Sequence, residues 1–194
     1  MTGGVPVGIK FAAGNVEADL GVAIEAGADW VTIDGLGGGT GAAPVHVKDN
    51  VGIPSMFALI RARRWLEDHG VDDVQLVATG GFRTPDEMAK ALALGADAVA
   101  LATASLMAIG CQQYRACHRG TCPVGIATQD PELRDRLDIA TSAERLEAFL
   151  RGATAMIVDY ARVCGHERIA DFRRTDLVAL DRDIAERTDI PWVL

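Results

Sequence analysis

The chain has 194 residues, 49% of them hydrophobic and 24% charged, an ordinary balance for a soluble globular domain and one that argues against disorder. Its formal net charge is −8, with acidic residues spread along the chain, so a broad electrostatic footprint for nucleic acid is absent. No apolar run reaches the roughly 18 uncharged residues that span a bilayer, and "MTGGVPVGIK" carries neither a basic start nor a long apolar stretch, so no membrane partner and a cytoplasmic location are expected.

Short apolar runs alternate with helical patterns along the first hundred residues, the signature of βα units and a parallel sheet. "VGIKFA" (7–12) reads as a buried strand, followed by Asn15 as a helix N-cap, the helix "VEADLGVAIEA", and Gly27 at its end. Within that strand Lys10 faces opposite to Ile9 and Phe11. In a barrel this face is the lumen, where a lysine can stand beside a developing anion; on an edge strand it would simply snorkel to water.

"DWVTI" (29–33) is the second strand, and "DGLGGGTGAAP" (34–44) follows it directly. The connection runs for about 20 residues, against roughly 2 to 6 for an ordinary βα loop. Glycines at 35, 37, 38, 39 and 41 let backbone N–H groups approach a ligand, and Thr40 adds a hydroxyl. The pattern matches neither the dinucleotide fingerprint nor a phosphate loop ending in Gly-Lys-Ser/Thr, so a plain surface turn stays open.

A helix over "MFALIRARRWLEDHG" leads into the third strand, "VQLVAT" (74–79), which ends in "TGG". The helix after it opens on "TPDE": Thr84 caps, Pro85 suits the first helical position, and Glu87 completes a capping box. The fourth strand is "AVALAT" (98–103), leading into "ATAS". "EAGADWVTI" and "ALGADAVAL" repeat the same helix end and strand start two units apart, which favours a (β/α) barrel over an open sheet, although Gly-Ala-Asp is also good turn chemistry. A full barrel takes about 250 residues, and four βα units are visible, so the expected fold is α/β, the C-terminal half of a (β/α)8 barrel. In phosphate-binding barrels the last two βα loops hold the anion, which would place it at Gly80, Gly81, Ala102 and Thr103; tight-turn glycines are the alternative.

Next, "CQQYRACHRGTCPVG" holds three of the four cysteines, Cys111, Cys117 and Cys122, spaced C-x5-C-x4-C and followed by Pro123. In a reducing compartment clustered cysteines point to metal or redox chemistry before a disulfide. The spacing does not fit the usual zinc pairs, His118 would need an awkward turn to complete Cys3His, and three thiolates match a [3Fe-4S] cluster in which each iron takes one. Zinc and inert packing stay open on spacing alone. A helix of about 20 residues from Ser142 carries Leu146, Phe149, Leu150, Ala153, Ile157 and Tyr160 on one face, and the remainder from Gly165, which mixes charge with "IPWVL", reads as a peripheral tail. The division expected is 1–137 for the half barrel with its cysteine loop and 138–194 for a helical extension. Cys164, near the end of the long helix, reads as an ordinary cysteine.

From Ile9 through "CHRGTCPVGIATQDPELR" the chain resembles the FMN-binding synthase domain of glutamate synthase, especially the shorter glutamate-synthase-like proteins without a fused amidotransferase domain. The resemblance implies that Cys111, Cys117 and Cys122 bind [3Fe-4S], that Gly38 to Ala42, with Gly38, Gly39 and Thr40, lie by the active site, and that Gly80, Gly81, Ala102 and Thr103 hold the FMN phosphate. Lys10 matches a family lysine near flavin and substrate. It further implies reductive amination of 2-oxoglutarate with ammonia through 2-iminoglutarate, with hydride from reduced FMN and electrons relayed by the cluster. Ammonia could come from glutamine through a separate amidotransferase, and electrons from ferredoxin or an NAD(P)H-dependent flavoprotein. Asp34 departs from the small neutral residue of the long fused enzymes, and a chain supplying the other half barrel is expected as partner. The competing function classes are a non-catalytic iron-sulfur electron-transfer subunit, or a truncated inactive fragment, completed by another chain. A different FMN barrel enzyme, such as a hydroxy-acid oxidase, lacks this cysteine triplet.

Overall fold

The computed structural model describes residues 3–194. Four strands, β1 (Gly8–Ala12), β2 (Trp30–Asp34), β3 (Gln75–Thr79) and β4 (Ala98–Val99), form one parallel sheet in chain order. The register aligns Lys10 with Thr32 and Val77, and Ala12 with Asp34 and Thr79. Side chains alternate across a strand, so these rows share one face, while Phe11, Val31, Ile33, Leu76 and Ala78 share the other.

That second face is the core side. α1 (Val16–Glu25) contributes Val16, Leu20 and Ala23, and α3 (Ser55–Asp68) contributes Ala58, Leu59, Ala62 and Leu66, all buried with Val31, Ile33, Leu76 and Ala78 in one cluster. Consecutive strands joined by a helix on one face, all parallel, make a segment of a (β/α) barrel whose other face is the lumen. On the lumen side Gly8 makes room for a neighbour: a Cβ there would stand 1.9 Å from the Trp30 ring.

The Gly-Ala-Asp echo has a structural cause. Gly27 and Gly95 end α1 and α4 (Pro85–Ala93) at φ +79° and +103°, conformations that favour glycine. The aspartate two residues later accepts the N–H at the start of the preceding strand: Asp29 from Val7 at 2.6 Å, Asp97 from Leu76 at 2.7 Å. Each turn thereby stitches two neighbouring βα units together.

The fourth strand extends over Ala98 and Val99 alone, not to Thr103: among the described residues no further strand lies beside it, and helix α5 (Thr103–Ala108) begins at Thr103. The long connection after β2 holds a short helix, α2 (Val45–Lys48), that no periodicity announced. A one-turn helix, α6 (Pro131–Arg134), follows the cysteine loop. The long helix, α7, spans Ile139–Val163, starting three residues before Ser142 because the Asp138 carboxylate accepts the Thr141 N–H. It packs on α4 and α5. Of its expected apolar face, Ala153 is buried while Leu150 and Tyr160 are exposed. The tail carries a helix, α8 (Arg182–Thr188), and sets Leu177 and Ile190 against the core. Asn15 occupies the expected N-cap position of α1, but its side chain accepts no cap hydrogen bond. Among the described residues no helix is long and apolar enough to cross a membrane.

Candidate functional site

The C-terminal ends of β1 to β4 open onto a cleft of about 250 Å³. Lys10, Asp34, Gly38, Gly39, Thr40, Gly80, Gly81, Ala102 and Thr103, singled out from widely separated stretches of sequence, all line it. The Lys10 ammonium lies 2.8 Å from the Asp34 carboxylate across the β1–β2 register. Asp34 is held from its other side by the glycine loop, where a Cβ at Gly38 would stand 1.9 Å from Asp34 Oδ1. Only glycine fits there.

The loop after β2 and the turn after β3 pass face to face. A Cβ on Gly37 would meet Gly81 Cα at 3.5 Å, and one on Gly80 would meet the Gly35 backbone at 2.6 Å. Gly80 and Gly81 take φ +107° and +88°, conformations strained for any other residue. Among the described residues, the N–H groups of Gly80, Gly81 and Thr103 donate to no protein acceptor. Together they make a concave array of backbone donors, the arrangement that suits a phosphate.

Residue-by-residue reading overlooked several lining groups. Phe82 and Arg83 follow the TGG turn into the cleft, and Thr79 and Ala100 close its floor, with the Thr79 hydroxyl donating to the Ala100 carbonyl at 3.0 Å. Ser55, far off in sequence at the start of α3, donates its hydroxyl to the Gly80 carbonyl and sits near the Leu36 carbonyl. It ties the two loops together. No local signal marks it; only its position beside both loops does.

A second cavity, of about 90 Å³, adjoins the first. Cys111, Cys117 and Cys122 all line it, and Thr103 lines both. All four cysteines are free thiols. Gly41, expected beside the active site, stands instead against Cys117, where an added Cβ would come within 2.6 Å of Sγ. Ala42 lines neither cavity; its N–H folds back on the Thr40 hydroxyl. Between Cys111 and Cys117 the backbone turns left-handed at Gln113 and Arg115, φ +56° and +55°, an unfavourable conformation for both residues.

Burial pushes the Cys122 thiol pKa up, but the N–H groups of Ala127, Val124, Ile126 and Gly125 outweigh it and hold the group below its ordinary value. The same N–H groups stabilise negative charge on the sulfur, the form in which a cysteine ligates a metal. Among the described residues, no three His, Cys, Asp or Glu side chains gather closely enough to grip a single metal ion.

A profile of the conserved region in glutamate synthase matches residues 1–167. The chain belongs to this glutamate synthase family. Among its relatives, an archaeal glutamate synthase [NADPH] of Archaeoglobus fulgidus is 47% identical over 75% of this chain and 29% of its own length. A glutamate synthase large subunit-like protein of Rhizobium meliloti is 38% identical over 96% of this chain and 46% of its own. The glutamate synthase match thus spans less than half the length of either relative. Among solved structures, a mutant flavocytochrome b2 with pyruvate bound superposes with a TM-score of 0.56 at 20% identity, covering 88% of this chain and 34% of that one. A second flavocytochrome b2 mutant gives 0.56 at 18% identity. At such identities the likeness shows the fold, here part of a (β/α)8 barrel, to which this glutamate synthase family segment conforms.

Proposed function

We propose that this chain forms the C-terminal half of a glutamate-synthase-type oxidoreductase, carrying the cleft for FMN and 2-oxoglutarate and the three ligands of a [3Fe-4S] cluster. The observation that carries the reading is the meeting of two cavities at Thr103: a cleft lined by backbone donors and Lys10, and a cavity lined by Cys111, Cys117 and Cys122. When bound, FMN would supply hydride transfer to the imine carbon of 2-iminoglutarate, and the cluster a one-electron relay.

The residues present fit both groups. Glycines whose Cβ atoms would collide with neighbouring backbone, together with the N–H groups of Gly80, Gly81 and Thr103, suit a phosphate, and Arg83 adds a cation at the rim. Gly39 and Thr40 close the cleft on its other side, and Ala102 sits ahead of the α5 N-terminus. Lys10 is positioned to face charge on the flavin or on a substrate carboxylate, while Asp34 restrains its ammonium until substrate arrives. Three cysteines lining one cavity would supply one thiolate to each iron of such a cluster.

The same surface favours an acidic electron donor, a ferredoxin or an NAD(P)H-dependent flavoprotein. Residues 98–129 contain Arg115, His118 and Arg119 but no Asp or Glu, in a chain of net charge −8. Opposite charges steer encounter to this loop. Exposed β1, with Ile9 at 47% exposure, calls for four complementary βα units on the sheet's edge.

The test is to produce the chain anaerobically with a polypeptide bearing those complementary units. The reading expects flavin absorption, iron and inorganic sulfide, and glutamate formed from 2-oxoglutarate and ammonia with a reduced donor. Iron and sulfide without turnover would instead make the chain an electron-transfer subunit. Absence of both flavin and iron overturns the proposal.

A further inference from the structure

The wall of the cysteine cavity holds two cations, Lys48 and Arg115, and no Asp or Glu. Arg115 is exposed, whereas Lys48, the last residue of α2, is half-buried. The lysine stem is packed across the glycine loop: a Cβ built at Gly39 would lie 3.5 Å from Lys48 Cγ and 3.6 Å from Cδ. Gly39 takes φ +111°. The loop that shapes the flavin cleft thus also seats this side chain.

The chain has three lysines. Lys10 and Lys90 each lie 2.8 Å from a carboxylate. Among the described residues, Lys48 has no carboxylate within 4.0 Å, although Asp49 follows it in sequence. An ammonium on the cavity wall with no carboxylate beside it leaves its charge to an anionic occupant of the cavity. Three thiolates holding a cluster are such an occupant, and the attraction is stronger here than in open solvent because the site is partly shielded from water.

We propose that Lys48 is a positioning residue that sets the reduction potential of the cluster held by Cys111, Cys117 and Cys122. The inference rests on the cluster reading above. Held by the three cysteines, the cluster would gain one negative charge on accepting one electron from the acidic donor, which would be oxidised. The Lys48 ammonium attracts that added charge, favours the reduced state and raises the potential.

The experiment is an EPR-monitored redox titration of the anaerobically prepared protein, in the assembly in which it purifies, for wild type, K48M, K48Q and K48R. K48M keeps the packed stem and removes the charge. Both neutral variants are expected to titrate about 59 mV lower, the one-electron equivalent of a tenfold change in the oxidised-to-reduced ratio, and K48R to hold the wild-type value. Loss of iron from both neutral variants with retention in K48R overturns the potential-setting role, since the charge then serves to retain the group and not to tune it. An unchanged potential in K48M or K48Q at full iron occupancy overturns the role of Lys48 while leaving the cluster standing. A wild-type protein without iron and sulfide overturns the cluster reading and the role of Lys48 together.

Discussion

At Gly80 two constraints coincide. The backbone stands at φ +107°, and a side chain would run into the Gly35 N and O atoms, neither of which can rotate away. Gly80→Ala is therefore expected to destabilise the fold by roughly 2–4 kcal/mol, read as a lower urea midpoint with an unchanged slope. An unchanged midpoint would mean that the two loops do not approach as described. Gly41 makes a different kind of contact, with the Cys117 sulfur and not with backbone. Gly41→Ala is expected to lower bound iron and sulfide in anaerobic preparations while flavin uptake is retained. Equal iron in mutant and wild type would separate the glycine loop from the cysteine cavity. Both glycines stand out in the sequence as members of a glycine-rich loop, but their separate duties do not, because each is defined by an atom more than forty positions away.

At the level of single elements, local chemistry was largely readable. α4 begins where Thr84, Pro85 and Glu87 place it: the Glu87 carboxylate accepts the N–H groups of Arg83 at 2.6 Å and Thr84 at 3.1 Å. The Thr84 hydroxyl instead donates to Asp86, which also pairs with Lys90 one turn on. These hydrogen bonds, that from Lys90 the stronger and that from Thr84 next, lower the Asp86 pKa from 3.8 to about 2. A carboxyl with a depressed folded pKa adds stability that is fully present above 3.8 and is lost as pH falls toward 2. Asp86→Asn should accordingly flatten the fall in melting temperature between pH 4 and pH 2 while changing the neutral-pH slope little; because the side chain is half-exposed, the effect is small. Identical acid limbs would show the pairing to be absent in solution. Where an element depended on something outside itself, the local pattern misled. "AVALAT" has the composition of a strand, yet without a neighbour on its outer side it pairs for two residues and gives way to α5 at Thr103. α7 begins at Ile139 because Asp138 caps it, a polar signal that the apolar periodicity from Ser142 does not contain.

The molecule as a whole is a four-stranded arc with its chemistry at the C-terminal strand ends and its last thirty or so residues folded back along the helices. Arg174 pairs with Glu67 at 3.2 Å, Arg64 pairs with Asp189, and Leu177 and Ile190 reach the core. Deleting residues 178–194 removes Ile190 and Asp189 from this strap and is expected to lower the melting temperature by about 4–8 °C, measured by circular dichroism. No change would reduce the strap to a surface ornament. The sequence by itself determined the parallel βα order, the Gly-Ala-Asp turns, the capped start of α4 and the C-x5-C-x4-C triplet, since each is encoded within a few neighbouring residues. Tertiary structure alone decided that Ser55 binds the Gly80 carbonyl, that Gly41 abuts Cys117, that Lys48 joins the cysteines and that Thr103 lines both cavities. Those contacts arise because parallel strands bring the ends of distant loops to the same edge of the sheet, and distance across that edge has no counterpart in distance along the chain.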